Sequence, residues 1–164
     1  MMNVDAILKA FGDSNARYLL IGGMNFFLRH EPVSTFDVDL WVEDTQANKA
    51  RVSQALVNLK AEWGRTESDW KLVAADPSWM RGQGCFCLTS PFGAIDVFLE
   101  LEGLQGRFNE CYQRAVHAVT LGGTSYMALA DIDMIRCQEA LPEGLRRIDR
   151  IRVLKSKLEH GHQP

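Results

Sequence analysis

Tyr18-Leu19-Leu20-Ile21-Gly22-Gly23-Met24-Asn25, followed after a short connection by Phe36-Asp37-Val38-Asp39-Leu40-Trp41-Val42, is the stretch from which the rest of this chain is read. It has the form of an apolar strand ending in a glycine pair, a short helix, and a second apolar strand with two acidic residues where hydrophobic ones belong. Strand side chains repeat with period two, so Asp37 and Asp39 project from one face, roughly 7 Å apart along the backbone. Two adjacent carboxylates repel, and a cation between them removes the penalty. An all-oxygen pair suits a hard ion such as Mg²⁺ far better than zinc.

The surrounding chain reads as an α+β (α/β) mixed sheet flanked by helices. Val4, Ile7, Leu8 and Phe11 follow helical spacing ahead of Gly12. Arg17–Ile21 is too short for a buried helix and is assigned as a central strand. Met24–His30 is a brief helix with Met24, Phe27 and Leu28 inward, closed by Pro32. Asp37–Val42 is the acidic strand, and Asp44 is placed to cap a helix over Thr45–Leu59. Residues 61–84, with Trp63, Trp70 and Trp79 among Gly, Asp and Pro, read as a loop-rich insertion in which only Trp70–Ala74 resembles a strand.

Cys85–Thr89 and Ala94–Leu101 are spaced as a hairpin, and the second run embeds Asp96 among Ile95, Val97 and Phe98. Phe108–Ala115 is a short helix. Val116–Leu121 and Thr124–Met127 pair across a two-residue Gly122-Gly123 link. Two helical stripes close the chain: Leu129, Ile132 and Ile135, then Leu145, Ile148, Ile151, Leu154 and Leu158. The whole, residues 1–164, is read as one domain with a core over 16–127 and a C-terminal helical segment over 128–160.

Composition narrows the function classes. The chain is 46% hydrophobic and 24% charged with a net charge of −3, ordinary for a globular protein and unlike one that coats nucleic acid non-specifically. No apolar run approaches the about 20 residues of a membrane span. The N-terminus lacks the basic start and apolar centre of a signal peptide, so the expected location is the cytoplasm. Cys85, Cys87, Cys111 and Cys137 have no Cys-x-x-Cys spacing and read as reduced, buried thiols. His160 and His162 read as a solvated tail, and the arginines and lysines of the last helix as a solvated face.

Gly22-Gly23 where a strand passes into a helix, Asp37-Val38-Asp39 on the next strand and Asp96 on a later strand resemble the nucleotidyltransferase superfamily that includes DNA polymerase beta. Within it they are similar to the small stand-alone bacterial group of minimal nucleotidyltransferases and abortive-infection toxins. Met127-Ala128-Leu129-Ala130-Asp131-Ile132 is similar to the segment with which many of these proteins open their closing helices. The resemblance implies that Asp37, Asp39 and Asp96 hold Mg²⁺ or Mn²⁺, with Asp96 also helping to deprotonate the acceptor. It implies that Gly22 and Gly23, with Met24 and Thr35, receive the triphosphate of an NTP. The reaction would transfer a nucleoside monophosphate to an acceptor hydroxyl on RNA, protein or a small molecule and release pyrophosphate, with tRNA or a partner protein among the expected partners.

The chain also departs from that pattern. Val33 stands where relatives often carry arginine, Met24 where many carry serine, and Arg136 and Asp149 are the nearest equivalents of a Lys- and Asp-rich closing helix. Arg29 and His30 are the candidates to replace the missing cation. The alternative implied by these departures is a catalytically reduced binding module acting through a partner, as in a toxin–antitoxin pair.

Overall fold

The computed structural model describes residues 2–161, so the expectation for His162 lies outside the described residues. Helix α1 (Val4–Asp13) is capped by Asn3, whose side chain accepts the Ala6 N–H. Strand β1 (Tyr18–Ile21) runs directly into α2 (Gly22–Arg29), so the glycine pair is the first turn of that helix and not a separate turn. Strand β2 (Asp37–Val42) follows, then α3 (Gln46–Asn58). Thr45, and not Asp44, caps α3 by accepting the Asn48 N–H, while Asp44 pairs with Lys49.

The insertion holds a small ribbon, β3 (Glu62–Trp63) with β4 (Lys71–Leu72), and a 3₁₀ turn at Pro77–Trp79. Next come β5 (Cys85–Leu88) and β6 (Ala94–Phe98), an antiparallel hairpin as expected. Helix α4 (Phe108–Gln113), β7 (Val116–Val119), β8 (Ser125–Ala128), α5 (Asp131–Ala140) and α6 (Ile148–Glu159) complete the chain. The link between β7 and β8 runs from Thr120 to Thr124, longer than the two-residue link anticipated. The Thr120 hydroxyl accepts the Thr124 N–H and hydrogen-bonds Asp5 of α1.

The main sheet has six strands in the order β5-β6-β2-β1-β8-β7. It is mixed: β1 pairs antiparallel with β2 and parallel with β8, and β2 pairs parallel with β6. Period-two alternation gives each face its own core. One face carries Leu20, Val38, Leu40, Ile95 and Val97 against Ile7, Leu8 and Phe11 of α1 and Val52, Ala55 and Leu56 of α3. Thus α1, outside the 16–127 core anticipated, supplies three fully buried residues to it. The other face carries Leu19, Ile21 and Trp41 against Phe26 of α2, Phe108 of α4, Met134 and Ile135 of α5 and Leu154 of α6. Asp37, Asp39 and Trp41 share this second face, so the helices that cover Trp41 stop short of the aspartates.

Three apolar positions expected inside are exposed: Phe27, Ile132 and Ile148. Each lies on a helix whose inward face is set by a neighbour, Phe26, Met134 and Ile151 respectively. Leu145 is also exposed, in a 3₁₀ turn (Glu143–Leu145) and not in the last helix. No helix among the described residues is long and apolar enough to cross a membrane.

Candidate active site

The site is built where β2 and β6 run parallel with Asp39 beside Asp96 and Asp37 beside Ala94. Parallel pairing in this register puts all three carboxylates on one face, and one oxygen from each lies within 4.8 Å of the others. Burial, and then the charges of Asp37 and Asp96, push the Asp39 carboxyl up to about 7. Burial and the Asp37 charge raise Asp96 as well. The Asp39 Oδ1 atom is buried with no hydrogen-bond partner among the described residues. An orphaned carboxylate oxygen in a cluster of like charge costs free energy, and a divalent cation is the species that relieves it. The donor set is all oxygen, which fits Mg²⁺ or Mn²⁺.

Gly22 begins α2 at φ +69°, in the left-handed region, and a Cβ there would run into the Asp39 carboxylate. Gly23 lies beside Thr35, whose Oγ1 is 3.1 Å from where a Cβ would be built, and Thr35 Oγ1 donates to the Asp37 carbonyl at 3.4 Å. Thr35 therefore joins the start of α2 to the start of the acidic strand. No side chain caps α2, so its leading N–H groups face the site without an internal side-chain partner. Met24 is buried in the core formed with α1 and α3, which leaves only its backbone N–H on the site side.

The structure rearranges the expected cations. Arg29 and His30 each pair with Asp131 Oδ1 at 2.9 Å. Arg29 also donates to the Leu129 carbonyl at 3.3 Å, and Asn25 to the same carbonyl at 3.1 Å. Burial pushes the Asp131 carboxyl up, but the His30 hydrogen bond and the Arg29 charge outweigh it and hold that carboxyl below its usual range. These contacts clamp α2 to the start of α5, so neither Arg29 nor His30 replaces the missing arginine. Arg136 is likewise committed, to buried Asp133 at 3.0 Å, and Asp149 is fully exposed on the first turn of α6. Position 33 is half-buried Val33, packed against the second core.

A cavity of about 300 Å³ opens from Asp39 and Gly22 toward Phe98, Met134, Cys137 and Leu154, between the sheet and the two closing helices. Its lining includes Arg150 of α6, a residue the sequence reading left on a solvated face. No local motif marks it, because Gly22 and Asp39, which share the cavity with it, come from more than a hundred residues earlier in the chain.

Cys87 lies opposite Asp96 in the β5–β6 register and is exposed, contrary to the buried thiol expected; burial and the Asp96 charge raise it. All four cysteines are free.

No protein-family model and no curated protein matches the sequence. Solved structures do match. ANT(2'')-Ia, crystallised in complex with adenylyl-2''-tobramycin, aligns at a TM-score of 0.57 with 12% identity, over 97% of this chain and 89% of that one. A candidate nucleotidyltransferase from Thermotoga maritima aligns at 0.50 with 15% identity, over 98% of this chain and 96% of that one. The chain has a nucleotidyltransferase-like fold. A solution structure of ANT(2'')-Ia, described as an antibiotic-resistance factor, aligns at 0.57 with 12% identity over 94% of this chain and 82% of that one. Within this nucleotidyltransferase-like fold Asp37, Asp39 and Asp96 converge, and Gly22 at the start of α2 lies against Asp39.

Proposed function

We propose that this protein is a divalent-metal-dependent nucleotidyltransferase, and the observation that carries the reading is the convergence of Asp37, Asp39 and Asp96 with an unpartnered buried oxygen on Asp39. Asp37 and Asp39 would hold Mg²⁺ or Mn²⁺, with Asp96 completing the set. A bound ion would supply charge neutralisation at the phosphate oxygens and at the attacking and leaving oxygens of an in-line displacement. The N–H groups of Gly22, Gly23 and Met24 receive phosphate oxygens, helped by the dipole of α2, and Thr35 holds the two loops together around them. Asp96 accepts the proton of the acceptor hydroxyl. The acceptor oxygen forms a bond to the α-phosphorus, the bond from that phosphorus to the bridging oxygen breaks, and pyrophosphate leaves.

RNA, including tRNA, a protein hydroxyl and a small molecule are all compatible with a cytoplasmic enzyme of this fold. The adenylyl-tobramycin complex of ANT(2'')-Ia makes a small polyhydroxylated molecule the first to try. The deciding experiment incubates the protein with each labelled NTP, Mg²⁺, and in parallel cellular RNA, cellular protein and an aminoglycoside. Label appears in one acceptor, requires the metal, and disappears in Asp39→Ala; absence of Mg²⁺-dependent transfer from all four NTPs to every acceptor overturns the reading.

One set of observations favours a second reading, a catalytically reduced module acting through a partner: Arg29 and His30 are both tied to Asp131, and Val33 replaces a basic residue. Asp39→Ala-sensitive turnover rules it out.

A further inference from the structure

We propose that Arg150, from the closing helix α6, binds the β- and γ-phosphates of the nucleotide and takes the place of the arginine that position 33 lacks. This assignment rests on the nucleotidyl-transfer reading of the site. Its guanidinium Nη2 is 3.4 Å from where a Cβ on Gly23 would be built, against the first turn of α2. It lines the same cavity as Asp39 and Gly22. The Phe26 ring, whose centroid is 5.8 Å from the guanidinium carbon, provides an apolar platform beneath it. Among the described residues Arg150 makes no ion pair, in contrast to Arg29, Arg114, Arg136 and Arg152, each of which has a carboxylate partner.

A partly buried guanidinium without a counter-charge is costly, and here burial and neighbouring Arg147 both disfavour its charged form. An anion with several oxygens resolves the cost, because the planar guanidinium fork matches phosphate through paired hydrogen bonds. The Asp39 carboxylate lies against Gly22 and the Arg150 guanidinium against Gly23, so a triphosphate laid over the first turn of α2 would reach both. In the transfer step the same contact would stabilise negative charge as it develops on departing pyrophosphate.

The test measures binding of inorganic tripolyphosphate with Mg²⁺, and of a nucleoside, to the full chain by calorimetry, alongside the KM for NTP. Arg150→Ala weakens tripolyphosphate binding and raises KM by about tenfold or more, leaves nucleoside affinity unchanged, and keeps the wild-type melting temperature. Arg150→Lys recovers part of the loss, and Arg152→Ala, altering an exposed pair with Asp149, leaves binding intact. Wild-type protein that binds no tripolyphosphate, or Arg150→Ala and Arg150→Lys proteins that bind it as well as wild type does, overturn the assignment. Arg150-dependent tripolyphosphate binding without nucleotidyl transfer retains the assignment and removes the enzymatic reading. Transfer that is insensitive to Arg150 does the reverse.

Discussion

Asp39 on β2 and Asp96 on β6 are direct neighbours in a parallel register, although 57 positions separate them in sequence. Parallel pairing requires a crossover, and here α3 and the residues 61–84 insertion occupy it. The consequence is two like charges pressed together on a half-buried face, a source of free energy that metal binding can draw on.

Replacing Asp39 by Asn separates function from stability. Because the Asp39 carboxyl is raised to about 7 in the folded protein, the folded state holds a proton that the unfolded chain has released. In the metal-free protein that contribution is full below the unfolded value of about 3.9 and is lost as pH rises toward about 7. Asp39→Asn therefore raises the melting temperature in EDTA at pH 8 and flattens that part of the pH dependence. Transfer activity falls by more than the about 10–100-fold typical of losing a mere outer partner of a metal ligand. A variant that is less stable than wild type in EDTA at pH 8 contradicts this account.

Metal should act as a folding ligand. At about 100 times its dissociation constant, Mg²⁺ or Mn²⁺ stabilises by about 2.7 kcal/mol. For a chain of this size that is a rise of about 5–10 °C in melting temperature. Scanning calorimetry with and without metal measures it, and Asp37→Asn with Asp96→Asn abolishes the shift.

Gly22 tolerates no side chain. Alanine there pays roughly 1–2 kcal/mol for the left-handed backbone, and its Cβ also displaces the Asp39 carboxylate. Gly22→Ala lowers both stability and metal affinity. Gly12→Ala, inside α1 with open space around it, stabilises by about 0.5–1 kcal/mol. Equal effects at the two positions would sink the argument.

Asp131 secures α2 from behind. Removing its charge leaves Arg29 nearly buried without a counter-charge, at a cost of about 3–5 kcal/mol. Since this carboxyl is held low, its contribution is present above the unfolded value and lost as pH falls through the folded one. Urea titration of wild type shows that acid-side loss of stability, and Asp131→Asn shows less of it.

Local chemistry accounts for what was legible. The alternation around Asp37 and Asp39, the glycines at the end of β1 and the apolar run holding Asp96 each mark an element and a candidate ligand within a few residues. Helices α1, α3 and α4 and the β5–β6 hairpin follow from spacing and turn residues in the same way. The inward faces of α2, α5 and α6 were less legible, because Phe27, Ile132 and Ile148 satisfy the helical pattern as well as the residues that are buried. Only the position of the neighbouring sheet selects among them.

A mixed sheet with an acidic strand, and with it the three carboxylates, follows from the chain alone, because strand period and residue chemistry are properties of a few adjacent positions. Which cations stand near those carboxylates was decided by tertiary structure alone. Arg29 and His30, close to the glycines in sequence, are drawn to Asp131 because β8 pairs with β1 and brings the start of α5 beneath α2. Arg150, distant in sequence, is delivered to Gly23 by the packing of Leu154 into the second core. Charge is long-ranged and side chains are flexible, so the pairing of an arginine is settled by which elements lie side by side.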